Sequence, residues 1–216
     1  AYDAIHAADP EALVLTAGLA PTIETGPDNL NDVLYLRALY ENGAAPFFDG
    51  VAGKPYGFDA GPDDRRAHLN RLNFSRFILL REEMARHGDR SKLLWASAFG
   101  WNALPPGWDG RPSQWGQTTS EQQAEWTLSA YRRALVEWPW AGALILDTWQ
   151  PGGAPDDPHQ GFALRGPDGA LSPTAEAIRE QAEPFNTALW PGVYPATTPL
   201  AAYSGEWEFS ELGADI

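Results

Sequence analysis

Cysteine is absent from these 216 residues. Its absence excludes disulfides and thiolate metal sites and leaves the redox compartment open. Basic side chains are scarce, with 15 Lys and Arg against 29 Asp and Glu and a formal net charge of -14. Phosphates would be repelled and no basic stripe offsets the deficit, so neither nucleic acid nor an anionic membrane is an expected partner. No run of about 18 apolar residues occurs and no signal peptide opens the chain, so membrane insertion is not expected. The first residues, Ala1 to His6, read as a helix entered midway. The histidines, His6, His68, His87 and His159, are scattered over helix ends and loops. They lack metal-ligand spacing, which predicts surface histidines and no metal site. Asp156-Asp157-Pro158-His159 reads as a solvated turn, and Gly152-Gly153 lacks the Lys and following helix of a phosphate loop. No cofactor is expected.

Aromatic residues are abundant, with ten Trp, seven Tyr and nine Phe in a chain that is 44% hydrophobic and 20% charged. Those totals predict a globular fold with a substantial core. Trp101, Trp108, Trp115, Trp149 and Trp190 lie in or beside Gly- and Pro-rich loops. Aromatic loops either cap the ends of a core or form platforms for flat apolar faces such as sugar rings.

Strands and helices alternate along the chain. Ala1 to Ala8 is a last helical turn, stopped by Asp9-Pro10. Leu13 to Leu19 is a short buried strand, followed by a loop carrying Glu24. From an N-cap at Asn29 or Asn31, Val33, Leu36, Leu39 and Tyr40 recur at helical spacing. Pro46 to Ala52 is the second strand, running into a loop with Tyr56 at its tip; a polar excursion from Asp59 to Asn70 follows. Phe74, Phe77, Ile78, Arg81 and Met84 mark the next helix, and Leu93 to Trp101 the third strand. After a Pro- and Trp-rich loop, capping-box patterns over Thr118 to Gln122 introduce a helix with the stripe Ala124, Leu128, Tyr131 and Leu135. Ala143 to Trp149 is the fourth strand, and a hairpin at Phe162 to Leu171 and a helix from Ser172-Pro173 complete the unit.

Four such repeats predict an α/β fold with parallel strands and right-handed crossovers. Half of a (β/α)8 TIM-type barrel fits this pattern, and an open four-stranded sheet with ligand at its carboxyl edge is the alternative. From Pro184 to Ile216 Pro and Trp rise, and Trp207 to Ser210 reads as the start of a strand; this tail is a linker into a further domain.

The order of Gly53-Lys54-Pro55-Tyr56-Gly57-Phe58, Leu93 to Trp101, Trp138 to Trp149, and Gly161 to Ile178 resembles the carboxyl-terminal half of clan A glycoside hydrolases, above all the xylosidase- and cellulase-like members. The resemblance covers about residues 1 to 183. It implies a (β/α)8 barrel in which two Glu, at the ends of the fourth and seventh strands, cleave a glycosidic bond with retention at about 5 Å separation. The acid/base would then precede residue 1. Ser97-Ala98-Phe99-Gly100-Trp101 aligns with the end of the seventh strand and puts Ala98 where the nucleophilic carboxylate belongs. A methyl group can neither attack an anomeric carbon nor stabilise its charge. Glu24 and Asp147 are the candidate substitute carboxylates, while Asp59 reads as a turn former. The resemblance also implies that Tyr56 would hydrogen-bond the nucleophile and that Trp149 stacks under the sugar. Trp101 and Trp108 are further candidate platforms.

The expected function is binding or cleavage of glycosidic bonds in an extracellular or cell-surface polysaccharide, with catalysis impaired by the absence of Glu at position 98. The alternative is a structural or cell-surface assembly module built on a degenerate barrel. In either case half a barrel would expose strand edges and inward-facing apolar side chains, so the chain needs the remaining half, from a longer polypeptide or a second chain.

Overall fold

A computed structural model describes residues 1–185. The chain divides into two units, Ala1–Ala177 and Ile178–Ile216. Apart from the last residues of a helix, the expected tail from Pro184 to Ile216 lies outside the described residues.

Three parallel strands, β1 (Gly50–Gly53), β2 (Leu93–Phe99) and β3 (Ala141–Leu146), pair in the order β1-β2-β3. Helices α1 (Tyr2–Ala8) and α2 (Asp32–Glu41) precede β1. Helix α3 (Phe77–Arg86) crosses from β1 to β2, α4 (Ser120–Glu137) from β2 to β3, and α5 (Pro173–Phe185) follows. Each start has a local cause. The Asn31 side chain accepts the Val33 N–H, and Thr119 and Gln122 close a capping box on α4. Ser172 accepts from the Ala175 N–H in front of Pro173.

Three expectations shift. The segment expected as a first strand, Leu13 to Leu19, runs parallel to β1 but meets it only through isolated bridges, Leu15 to Gly50 and Leu19 to Gly53. Its ladder is broken where the Thr16 hydroxyl, instead of a carbonyl, takes the Ala52 N–H at 3.0 Å. The second strand starts at Gly50 instead of Pro46, because Ala45–Phe47 forms a 3₁₀ turn with Pro46 near its start. On α4 the buried face is Gln123, Thr127, Ala130 and Ala134, whereas Leu135 of the expected stripe is 79% exposed. Gln123 explains the rotation, since its amide donates to the carbonyls of Trp101 and Gly161 and draws that face inward.

The helices cover one face of the sheet. Val51, Leu94, Ala96 and Phe99 pack there against Val33 and Leu36 of α2, Phe77, Leu80 and Met84 of α3, and Ala130 of α4. Among the described residues the opposite face has no such cover. Trp95 and Ser97 point onto it and are only half-buried, as the side chains that an added Cβ at Gly50 and Gly18 would meet. Ile145, between core-facing Leu144 and Leu146, is 50% exposed. The polar excursion is held by Asp64, which accepts from Arg66, Arg71 and Asn73; Arg66 is the chief cause that holds its carboxyl far below the usual carboxylate range.

Candidate functional site

The carboxyl ends of the strands bring the candidate residues together. Tyr56 follows β1 and bridges in parallel to Gly100, just past β2. The backbone approaches so closely there that a Cβ on Gly57 would stand 1.9 Å from the Trp101 indole, so glycine is required. Asp147 follows β3, and its N–H donates to the Phe99 carbonyl.

Tyr56 Oη donates to Asp147 Oδ2 at 2.6 Å, and His159 Nε2 lies 3.0 Å from the same oxygen. A carboxylate only accepts, so the imidazole meets this oxygen as a donor through Nε2. Burial, then the bond to Asp147, pushes the Tyr56 phenol far above its ordinary pKa, so Tyr56 remains the donor. Asp147 is held by two donors on one oxygen and keeps the other free of any partner among the described residues.

His159, expected as a surface histidine, is 32% exposed and sits on the 3₁₀ turn Pro158–Phe162, whose start is capped by Asp157 accepting the His159 N–H at 2.9 Å. His6 and His87 likewise lie against carboxylates, those of Asp49 and Glu83. Among the described residues no group of three or more His, Asp or Glu is placed to hold a metal ion, and no helix is long and apolar enough to cross a membrane.

Trp115 closes the cluster, with its ring 6.0 Å from Tyr56, 5.7 Å from His159 and 5.3 Å from Phe162. Its loop is tied down by Asp59, which accepts the Gln117 N–H at 3.2 Å, and by Gly116 at φ +73, where a Cβ would strike the Asp59 carboxylate. Asp59 therefore positions an aromatic ring as well as forming a turn. A cleft of about 610 Å³ opens beside the cluster, with Tyr56, Trp115, Phe58 and Glu24 among its walls. Phe58 stands at φ 54. A bulky residue rarely adopts that left-handed conformation, and such strain gathers at functional sites.

The other expected residues are dispersed. Trp101 is fully buried and its indole N–H donates to the Ala60 carbonyl at 2.8 Å, so it has no free face for a ligand and belongs to the core. Trp108 folds over Gly110 and donates to the Arg111 carbonyl, stapling its own loop. Trp149 is 57% exposed. Glu24 borders the large cleft, whereas Asp147 borders a separate small void with Thr127 and Thr174, so the two candidate carboxylates do not share a wall. Neither His159 nor Trp115 stands among the site residues expected from sequence, although Trp115 is one of the loop tryptophans read there as a core cap or a platform.

No protein-family model and no curated protein matches this chain. Solved structures do. A family 39 glycoside hydrolase from the gut symbiont Bacteroides cellulosilyticus WH2 is similar with a TM-score of 0.58 and 19% identity, over 82% of this chain and 35% of that one. A monomeric beta-xylosidase from Caulobacter crescentus CB15 is similar with a TM-score of 0.51 and 19% identity, over 83% of this chain and 35% of that one. At this identity the likeness is one of fold. The chain spans about a third of the length of each, at 35%.

Proposed function

We propose that the chain is the second half of a (β/α)8 barrel of the glycoside hydrolase kind, and that its rim binds a glycan without cleaving it. The hydrogen bond from Tyr56 to Asp147 carries this reading. In the pattern the chain resembles, that Tyr partners the nucleophilic Glu; here Ala98 offers no partner and the carboxylate at the end of β3 takes the bond. Asp147, gripped on one oxygen by Tyr56 and His159, acts as an acceptor whose other oxygen suits a sugar hydroxyl. Trp115 supplies an aromatic face beside it. Retaining cleavage needs two carboxyl groups about 5 Å apart. Ala98 removes one, and Glu24 and Asp147 border different spaces. A polymeric glycan is met outside the cell, and we infer an extracellular or cell-surface location.

The test is hydrolysis of a panel of aryl glycosides, with oligosaccharide binding measured alongside, for the complete protein and its Ala98→Glu variant. The expected result is an inert parent that binds a sugar and a variant that gains turnover. Turnover by the parent would instead make Asp147 or Glu24 a working catalytic carboxylate, and removal of each would identify which.

A further inference from the structure

We infer that the cleft beside Tyr56 selects a positively charged glycan, one with free amino groups on its sugars, over neutral and acidic glycans; the inference rests on the glycan-binding reading above. The cleft has two kinds of wall. Trp115, Phe58 and Tyr35 line it as aromatic rings, and Tyr35 is 46% exposed. Among the described residues its charged lining is Glu24 and Asp32, both acids, with no Lys, Arg or His.

The two acids are not equivalent. Asp32 is 3% exposed, and its Oδ1 accepts from Arg76 Nε at 2.8 Å and Nη2 at 2.6 Å. Arg76, 2% exposed, also donates to the carbonyls of Thr22 and Leu69. That pair is enclosed and presents no net charge to a ligand. Glu24 is exposed, and only its Oε2 is engaged, by the Asn29 amide at 3.1 Å. Its other oxygen is available. Lys54 does not line the cleft, although its Cε lies 3.1 Å from where a Cβ on the lining residue Gly18 would stand.

A protonated 2-amino sugar fits both walls. Its C–H face stacks on an aromatic ring, its ammonium is attracted by that ring's face, and Glu24 supplies the counter-charge. The chain's net charge of -14 adds a long-range field of the same sign, which draws cations and repels uronates. An exposed ion pair is modest alone, so a preference of about five- to tenfold is expected at low salt, falling below about twofold near 0.5 M as screening shortens the field.

The experiment titrates the complete protein calorimetrically with hexamers of β-1,4-linked glucosamine, N-acetylglucosamine and glucose, and with hexagalacturonate. Support requires that the glucosamine hexamer binds most tightly, that salt or Glu24→Gln erases its advantage, and that Glu24→Lys moves the preference toward galacturonate. Glu24 lies on an exposed loop, and an unchanged melting curve for each variant verifies its fold. Sugars that bind without charge preference, or a preference that survives Glu24→Gln, would overturn this inference and leave the glycan-binding reading standing. If no hexamer binds at all, the glycan-binding reading itself falls and this inference falls with it.

Discussion

Tyr56 and Asp147, 91 residues apart in the chain, meet at 2.6 Å and join the loop after β1 to the end of β3. A hydrogen bond to a charged acceptor of this kind contributes about 2 kcal/mol. Tyr56→Phe should therefore lower the melting temperature of the complete protein by about 2–4 °C. It should weaken glycan binding more than that loss of stability explains, because Asp147 would then be oriented by His159 alone. Calorimetric melting and sugar titration on the same sample measure both. A variant that melts early but binds normally would make the bond purely structural.

Two tryptophans on the one connection from β2 to α4 separate rim from core. Trp115→Ala should cost about 1–2 kcal/mol of stability through its ring contacts with Tyr56, His159 and Phe162, and reduce sugar affinity about tenfold, the loss of one stacking contact. Trp101→Ala should instead cost about 3–5 kcal/mol, since the ring is fully buried between Phe74 and Trp126. Denaturant unfolding and binding isotherms of the two variants should show opposite patterns.

This contrast also marks how much was legible from sequence. The Asn31 cap, the capping box at Thr119 and Gln122 and the parallel order of strands could be read because each depends on residues close in sequence or on simple periodicity. Asp147 could be singled out as a strand-end carboxylate. The burial of Trp101 could not, because it follows from Gly57 allowing the Tyr56 loop to lie against the indole, a contact between segments 44 residues apart in number. His159 was hidden for the same reason, since nothing near it in sequence announces the Asp147 carboxylate. The face of α4 was misread because Gln123 pulls a polar side inward through bonds to distant carbonyls.

The buried carboxylate of Glu83 makes the helix layer sensitive to acid. Arg37 foremost, with Arg86 and His87, holds its pKa down at about 2, well below its ordinary 4.5. A carboxyl whose folded pKa is depressed contributes its full stability above the unfolded value and loses it as pH falls from about 4.5 toward about 2. The contribution is about 3 kcal/mol. Glu83→Gln should melt earlier than the parent at pH 7 and converge with it near pH 2. Parallel curves at all pH values would show that the ionised Glu83 is not what Arg37, Arg86 and His87 stabilise.

The bare face of the sheet leads to the last prediction. Leu13 is 66% exposed, Ile145 50% and Leu93 41%, and β3 ends the sheet with no neighbour on its far side among the described residues. A β-sheet with helices on one face alone leaves such side chains in water, and unpaired parallel edges invite association. Closing a barrel removes both liabilities at once. Residues 1–216 alone should therefore bind a hydrophobic dye, sediment as a concentration-dependent mixture and melt without a sharp transition. If the proposed barrel is right, co-expression with a segment that completes it should restore a single cooperative melt and suppress dye binding. A sharp, monomeric, reversible transition for the isolated chain would contradict the half-barrel, because it would mean that Leu13 and Ile145 tolerate water without a partner and that the sheet is complete at three strands.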